Sequence, residues 1–451
     1  MRRLMVRLRN LLIRVLAPAA LCTLVIAACG SQHPPQAKTT KATKSPARNH
    51  TVRIYSSLPE QGLERSQALQ IEHGIRLAMP PAKHLVNGFR VIYRALSDSP
   101  GPVSRHHSSW SPAGTVRNAG LAARDAETVA YIGDLNSGAT ELSLPILNQA
   151  GIVQITPGSG YPGLTDAYSA KYGITQLNEP AKYYPQSPRN LLRLIPSDIV
   201  QASAALSLLH KSGCQTFAAW QFGGGPEATA LLSAVVKTAP LYAMKYVGTP
   251  KLPANTRAAY VTYTGTTLKP LNLRCAVLVG HPTAAAELLT TELREQLGTS
   301  LPIVGTDGFC TSGWVRGIQK AYVKTVAPGL YCMTPVLPIG EYAGSTGFIA
   351  KFRRAYHRRP TAYSYYGYES ADWVLRALHE VAKGDDTRRQ VLLGLLQEFV
   401  PDRLAPSFTF DNANGDVESN HYGVDIFNAK GSPQHYQTVN VPATYLLPSA
   451  G

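Results

Sequence analysis

The first 59 residues contain no acidic side chain, although nine lysines and arginines lie between residues 2 and 48. The rest of the chain therefore contains 35 of the 44 basic side chains and all 28 acidic ones. These 35 are not gathered into a basic stripe with interleaved aromatic residues, which is the usual signature of a nucleic-acid surface. The charge pattern therefore predicts that nucleic acid is not a partner.

The chain also has no recognisable catalytic or metal-binding motif. There is no G-x-S-x-G nucleophile turn, no H-E-x-x-H helix, no P-loop and no C-x-x-C pair. The segment 411–416 has the acidic spacing of a calcium loop, but Ala413 stands at a ligand position and the twelfth position is not Glu. We expect this segment to be a hairpin turn, and we expect no enzyme activity, no cofactor and no metal.

No apolar run near the N-terminus reaches the roughly 20 residues that span a bilayer. The run from Val15 to Ala28 is shorter, follows an arginine-rich segment and ends in small residues before Cys29. This pattern predicts a secretory signal peptide over residues 1–28. The small residues resemble a bacterial lipobox, which implies a diacylated Cys29 on the extracytoplasmic face of the cell membrane. An uncleaved membrane helix is the alternative, and residues 29–50 are polar enough to form a flexible tether.

Six cysteines are present, of which Cys22 falls in the signal region and Cys29 in the lipobox. The other four are Cys214, Cys275, Cys310 and Cys332. Cys214 and Cys275 each precede an apolar run that is typical of a parallel strand, so neighbouring strand starts would bring them within bridging distance. The remaining two would then pair in the same oxidising compartment. Free buried cysteines are the alternative.

From Thr51 onward, short apolar runs alternate with amphipathic segments, which predicts parallel sheets covered by helices. A first block has predicted strands at 52–57, 89–96, 129–134 and 152–157, with helices at 63–79, 113–125 and 141–151. A second block has predicted strands at 216–222, 275–280 and 301–308, with helices at 199–209, 226–237 and 283–296. A mixed region follows, with a strand at 329–336, helices at 344–356, 366–382 and 389–398, and strands at 407–410, 422–427 and 436–441. Residues 158–190 lack periodicity, and we expect a long loop or insertion there.

Four segments together resemble one protein family. They are YIGDLNSGATELSLPILNQAGIVQITPGSGYPGLTD (131–166), RLIPSDIVQASAAL (193–206), LPIVGTDGF (301–309) and FTFDNANGD (408–416). Their order and spacing resemble the type I periplasmic substrate-binding proteins that bind leucine, isoleucine and valine for branched-chain amino acid ABC transporters.

The resemblance implies an α/β fold of two doubly wound, Rossmann-like lobes joined by a hinge of three crossings. Lobe I would comprise residues 51–197 and 335–404, and lobe II would comprise residues 198–334 and 405–451. The ligand would lie in the cleft between the lobes, which would close on it by a hinge motion.

Two loops of lobe I are candidates for the first wall of that cleft, because ligands of parallel sheets bind at the carboxyl ends of the strands. Ser137 begins a helix after one strand, and Gly158, Ser159 and Gly160 follow the next strand. Glycines allow backbone N–H groups to approach a ligand, and a helix N-terminus favours an anion. These loops therefore suit a ligand carboxylate, although tight strand-to-helix turns would use the same residues.

The opposite wall would come from lobe II. Asp307 follows a predicted strand, at the position where the family has an acidic residue that binds the ligand ammonium group; a simple Asp-Gly turn is the alternative. His281 stands where the family usually has an aromatic residue, and Phe222 lies near its cleft tyrosine. Both departures leave branched-chain specificity open. The tyrosine-rich stretch 363–368 is consistent with a hinge lining or with core packing.

The sequence thus predicts a lipid-anchored extracytoplasmic solute-binding protein. It would capture a small polar ligand, an amino acid or a related zwitterion, and deliver it to an ABC permease. The alternatives are a sensory receptor subunit, a cell-envelope hydrolase, and a decayed pair of binding lobes that now acts as an envelope scaffold.

Overall fold

The computed structural model describes residues 50–447 apart from 102–108, 317, 319, 383–385, 399–409 and 412. The predicted signal peptide, the lipidation of Cys29 and most of the predicted strand at 407–410 therefore lie outside the described residues. Within these ranges, no helix combines the length and the apolar composition that crossing a bilayer requires.

The first half of the chain builds a five-stranded sheet in the order β2-β1-β3-β4-β5, with every neighbouring pair parallel. Its strands are β1 His50–Leu58, β2 Phe89–Ser97, β3 Thr128–Ile132, β4 Val153–Thr156 and β5 Leu191–Arg193. The connecting helices are α1 Arg65–Ala78, α2 Pro112–Arg124 and α3 Ser137–Gln149. The strand order reverses direction between β1 and β3, and such a switch point opens a crevice at the carboxyl ends of the strands.

The second sheet has seven strands in the order β12-β11-β10-β9-β8-β6-β7. They are β6 Thr216–Phe222, β7 Lys245–Tyr246, β8 Cys275–Gly280, β9 Ile303–Gly305, β10 Leu330–Thr334, β11 His421–Phe427 and β12 Pro433–Asn440. Strands β6 to β10 run parallel, whereas β11 and β12 form an antiparallel edge. The helices of this part are α4 Asp198–Lys211, α5 Pro226–Thr238, α6 Arg257–Tyr263, α7 Ala284–Leu297, α8 Gly313–Arg316 and α9 Lys320–Val326. The predicted class of two doubly wound α/β units is confirmed.

After β10 the chain returns to the first sheet. The helices of this return are α10 Ser345–Tyr356, α11 Ala362–Glu380 and α12 Thr387–Leu393. Side chains of α11 such as Tyr366 and Trp373 share a buried cluster with Ile54 of β1. Helices α1 and α11 touch through glycines, because a side chain at Gly74 or Gly367 would collide with the backbone of the opposite helix. The polypeptide therefore builds the first sheet and then most of the second, and returns to cover the first with helices. It then goes back to the second sheet with β11 and β12.

Residues 158–190, predicted as an insertion, fold into three short 3-10 turns, Pro162–Leu164, Ser169–Tyr172 and Ala181–Tyr183. The hydroxyl groups of Tyr161 and Tyr183 donate to the buried carboxylate of Glu179 at 2.6 and 2.8 Å. The buried apolar residues of this segment belong to the same cluster as those of α4. The segment is thus an ordered insertion with buried side chains of its own and not an open loop.

The segment that resembles a calcium loop makes a tight turn, with an antiparallel bridge between Phe410 and Val417. Its Asp416 forms a 2.5 Å ion pair with the guanidinium group of Arg193, which is fully buried at the end of β5. An arginine without solvent exposure requires a partner of this kind. The turn is therefore held against the first sheet by an ion pair between a buried arginine and a partly exposed aspartate.

Two disulfide bonds belong to the second sheet. Cys214 and Cys275 lie at the starts of β6 and β8, which are neighbours in the sheet, and their Cα atoms are 6.0 Å apart. Cys310 follows the loop after β9 and is bonded to Cys332 in β10, with 5.1 Å between the Cα atoms. The two bonds therefore join the sheet near both ends of its strands.

Candidate ligand-binding cleft

A cavity of about 100 Å³ lies where the carboxyl ends of strands from both sheets face each other. Residues that follow β1, β3 and β4 line one side: Glu64, Gln67, Leu135, Asn136, Ser137, Gly158 and Gly160. Residues from the second sheet and its helices line the other: Asp198, Glu227, Ala228, Leu231, Gly280, His281, Thr306, Asp307 and Gly308. Trp110 and Tyr363 complete the lining. This is the edge at which the sequence places a ligand.

The loop after β4 brings Gly158 and Gly160 to the cleft but directs Ser159 away from it. The backbone N–H of Ser159 donates to Thr156 Oγ1 at 3.1 Å, which tightens the turn. Its hydroxyl group lies 2.7 Å from Thr140 Oγ1 in α3, and the residue is fully buried. Ser159 therefore holds the loop against α3 from behind and does not line the cavity.

Gly160 allows the first wall to approach α4 closely. The N–H of Asp198 donates to the carbonyl oxygen of Gly160 at 2.8 Å. A β-carbon at position 160 would collide with the Asp198 carboxylate. The hydroxyl oxygen of Ser137 accepts a hydrogen bond from the N–H of Tyr161 at 3.2 Å, so the loops after β3 and β4 are fixed to each other. The small residues here set the distance between the two walls.

Asp307, the predicted ammonium-binding residue, lines the cavity directly after β9. The side-chain oxygen of Gln201 accepts from its backbone N–H at 3.0 Å. The side-chain nitrogen of Gln201 donates to Asp198 Oδ1 at 3.1 Å and to the hydroxyl group of Tyr422 at 2.7 Å. The fully buried Gln201 thus uses its whole amide group to place two carboxylates on one side of the cleft.

The pKa values of the buried carboxylates in this lining are raised. Burial raises the pKa of Asp198 well above its ordinary value, and the negative charge of Asp307 raises it further. Burial also raises the pKa of Asp307 and of Glu227, whereas the nearby His281 acts in the opposite direction on both. Asp198 and Glu227 lie in the first turns of α4 and α5, where a helix N-terminus stabilises negative charge.

A comparison with protein-family models matches residues 108–429 to the family described as periplasmic binding protein. The chain belongs to this family. Its fold and family are therefore those of binding proteins. A comparison with curated protein sequences finds no significant match for this periplasmic binding protein.

Solved structures resemble this periplasmic binding protein over most of its length. They include the branched-chain amino acid transporter substrate-binding protein LivJ from Streptococcus pneumoniae in complex with isoleucine, which is 17% identical, with coverage of 86% of this chain and 99% of that one and a TM-score of 0.63. The leucine-binding protein LivK from Thermotoga maritima is 18% identical, with the same coverage and TM-score. A solute-binding protein from R. palustris in complex with benzoate is 13% identical, with coverage of 89% and 97% and a TM-score of 0.59. At these identities the likeness concerns the fold.

His281 and Phe222 occupy different environments in this periplasmic binding protein. His281 lines the mouth of the cleft and is exposed. Phe222 is 3% exposed and packs edge-to-face on Phe309, with 6.1 Å between the ring centroids. Its carbonyl oxygen accepts from the N–H of the lining residue His281 at 3.2 Å. Phe222 therefore belongs to the core beneath the lining.

Three lining carboxylates are not among the residues that the sequence singles out for ligand binding. Asp198 lies in the first turn of α4, after the capping residue Ser197, whose hydroxyl oxygen accepts from the N–H of Ile199 at 3.2 Å. Glu227 follows a proline at the start of α5. Glu64 precedes α1 and accepts from the Asn136 side-chain nitrogen at 2.7 Å. The common signal is an acidic residue at a helix start beside a strand end.

Proposed function

We propose that this chain is an extracytoplasmic solute-binding protein that captures a small amine-bearing solute of the amino acid class and delivers it to an ABC permease. The observation that carries the proposal is the cleft between the carboxyl ends of two sheets, where Asp307 is held at the surface by Gln201. The solved structures of similar fold include ABC transporter substrate-binding proteins, one of them in complex with isoleucine.

In this proposal, residues 51–197 and 335–404 form one lobe and residues 198–334 and 405–451 the other. The return of α10, α11 and α12 to the first sheet supports this division, because it requires the chain to pass between the sheets more than once. Closure about these crossings would enclose the solute, and opening would release it to the permease.

The proposed roles within the cleft follow from the lining. Asp307 binds the ammonium group of the solute, since an opposite charge in a closed cleft is the strongest polar contact available to it. Ser137, Gly158 and Gly160 present backbone and hydroxyl groups from the other wall, and His281 contacts the solute at the mouth. Ser159 and Phe222 act indirectly, by supporting the loops on which these residues lie.

The proposal includes attachment to the membrane through a lipid on Cys29 after removal of residues 1–28. Membrane fractionation and intact-mass measurement of the expressed full chain test this part. We expect a cleaved chain with a diacylglyceryl-type mass addition in the membrane fraction, and a Cys29→Ser variant that is no longer lipidated. An unmodified wild-type chain of full length would refute the lipid anchor and leave the binding function unaffected.

A thermal-shift screen of the full chain in detergent tests the binding function. The panel contains neutral, acidic and basic amino acids, short peptides, amides, amines and sugars. A solute that binds the folded state stabilises it by RT ln(1 + [L]/Kd), which is about 2.7 kcal/mol at a hundredfold excess over Kd. Stabilisation by one solute class supports the proposal. If no solute stabilises the protein after exhaustive dialysis, and a denatured sample releases no small molecule, the proposal is wrong.

A further inference from the structure

The charge of the cleft lining is strongly one-sided. Four carboxylates line it: Glu64, Asp198, Glu227 and Asp307. Among the described residues of the lining there is no lysine or arginine, and His281 is the one side chain that can become positive. A neutral zwitterion would balance one of these carboxylates with its ammonium group and would set its own carboxylate against the others.

Two of these carboxylates have an oxygen atom that is buried and receives no hydrogen bond from any described residue. These atoms are Glu64 Oε2 and Glu227 Oε2. An ionised oxygen that is removed from water without a donor is unfavourable. Both residues face the cavity, so a ligand that carries N–H donors there would satisfy them.

Glu227 also lies beside the start of α3, where the sequence predicts a site for the carboxylate of an amino acid. Its Oε1 is 3.6 Å from the point that a β-carbon would occupy at Gly138, in the first turn of α3. A ring atom of Trp110 is 2.8 Å from the same point. A carboxylate beside an aromatic ring attracts an organic cation, because both the charge and the ring quadrupole favour positive charge.

The arrangement does not suit a single metal ion. Among the described residues, one group of three His, Cys, Asp or Glu side chains has ligand atoms within 4.8 Å of one another, and it is Cys310, Cys332 and Asp425. That group lies outside the cleft lining, and its two cysteines are joined in a disulfide bond. The cleft carboxylates are therefore spread along the cavity instead of converging on one point, which fits separated positive groups.

We propose that the cleft selects a small organic cation with two separated, positively charged nitrogen groups, such as a basic amino acid or an aliphatic diamine. One group lies against Asp198 and Asp307, and the second lies against Glu227 and Trp110. This inference rests on the proposed solute-binding function and specifies its ligand class. The raised pKa values of Asp198, Asp307 and Glu227 agree with it, since burial disfavours their charged forms and a bound cation offsets that effect.

Isothermal titration calorimetry on the dialysed full chain tests the inference with matched solutes. L-Lysine is compared with L-norleucine and L-arginine with L-citrulline, since each second member lacks the side-chain charge. We expect at least one cationic member to bind ten times more tightly than its neutral counterpart. 1,5-Diaminopentane has no carboxylate and therefore distinguishes a basic amino acid from an aliphatic diamine as the ligand. If it binds as tightly as lysine or more tightly, the ligand is of the diamine type.

The failures are distinguishable. If neutral members bind as tightly as their cationic counterparts, or if only uncharged or zwitterionic solutes from the wider panel bind, the charge inference is wrong and the solute-binding function stands. If no solute binds at all and a denatured sample releases no small molecule, both are wrong.

Glu227→Gln provides the decisive variant, and Glu295→Gln is its matched control, because Glu295 is exposed on α7 outside the lining. We expect Glu227→Gln to weaken binding of the preferred cation at least tenfold and to bring its advantage over the neutral counterpart within threefold. Glu295→Gln should change neither value. Trp110→Phe should retain more affinity than Trp110→Leu. An unchanged preference in a folded Glu227→Gln protein would overturn the assignment of the second subsite.

Discussion

The side chain of Gln201 in α4 accepts a hydrogen bond from the backbone N–H of Asp307, 3.0 Å away in the loop after β9. The same side chain donates to Asp198 Oδ1. One buried amide group therefore sets the relative position of a helix start and a strand end. The spacing of the two carboxylates is thus a property of the folded core and not of the cleft surface alone.

Replacing Gln201 by leucine should affect both stability and binding. The substitution leaves the N–H of Asp307, the carboxylate of Asp198 and the hydroxyl group of Tyr422 without this partner, and each buried orphan costs about 1–3 kcal/mol. We expect a clearly lower free energy of unfolding in urea and weaker solute binding by calorimetry. Gln434→Leu on the exposed face of β12 is the control and should be close to neutral. Wild-type stability in Gln201→Leu would contradict this role.

Asp307→Ala should weaken binding of the solute by more than tenfold, because the ammonium group would lose its charged partner in a closed cleft. The free energy of unfolding should change much less than the affinity, since the hydrogen bond to Gln201 uses the backbone of residue 307. Glu380→Ala, on an exposed position of α11, is the control. Calorimetry with the best solute of the screen gives the result, and unaltered affinity would remove Asp307 from the site.

Asp98 makes the stability of the protein depend on pH. It is fully buried, and neither of its carboxyl oxygens has a hydrogen-bond partner among the residues that the structure describes. Burial raises its pKa to about 8, and the charge of Asp134 contributes to the increase. The pKa of Asp98 is higher in the folded protein than in the unfolded one, so folding favours its protonated form. The stability gained from this preference is complete below about pH 4 and is lost as pH rises towards 8.

The variant Asp98→Asn cannot ionise and should escape this loss. We expect it to exceed the wild type in free energy of unfolding by about 1–3 kcal/mol at pH 8, with the advantage disappearing towards pH 4. Urea unfolding at several pH values measures this, with Glu380→Gln at the exposed end of α11 as the control. An advantage that is independent of pH would show that ionisation of Asp98 is not the cause.

Gly160→Ala should separate the two walls of the cleft. The added carbon would meet the Asp198 carboxylate, so the loop after β4 or the start of α4 must move. We expect affinity to fall about tenfold and the free energy of unfolding to fall by about 1–3 kcal/mol. Gly347→Ala in α10 has open space around the new carbon and should be neutral or slightly stabilising. Equal behaviour of the two variants in calorimetry and urea unfolding would show that the contact is unimportant.

The fold class could be predicted from the sequence because the alternation of strands and helices is a local signal. The edge of the sheets that carries the cleft could be predicted too, and Ser137, Gly158, Gly160, His281 and Asp307 do lie in its lining. The direction in which individual side chains point could not be predicted from the sequence. Ser159 lies between the lining residues Gly158 and Gly160, and Phe222 is the last residue of β6, but both side chains point inward.

The acidic character of the cleft was equally inaccessible to the sequence. Glu64, Asp198 and Glu227 are spread over more than 160 residues of the chain, and each lies at the start of a different helix. An acid at a helix start has an ordinary explanation in the helix dipole. These residues have a common role only because three helix starts meet at one cavity, and this meeting is a property of the tertiary structure.

The bond between Cys310 and Cys332 bears on how the protein has to be produced. It anchors the chain three residues after Asp307 to an interior strand of the second sheet. A chain synthesised in a reducing cytosol would lack this anchor, so a weak binding signal from such material would report its oxidation state and not its specificity. Secretion into an oxidising compartment, followed by a free-thiol assay, is therefore the starting point for every affinity measurement on this cleft.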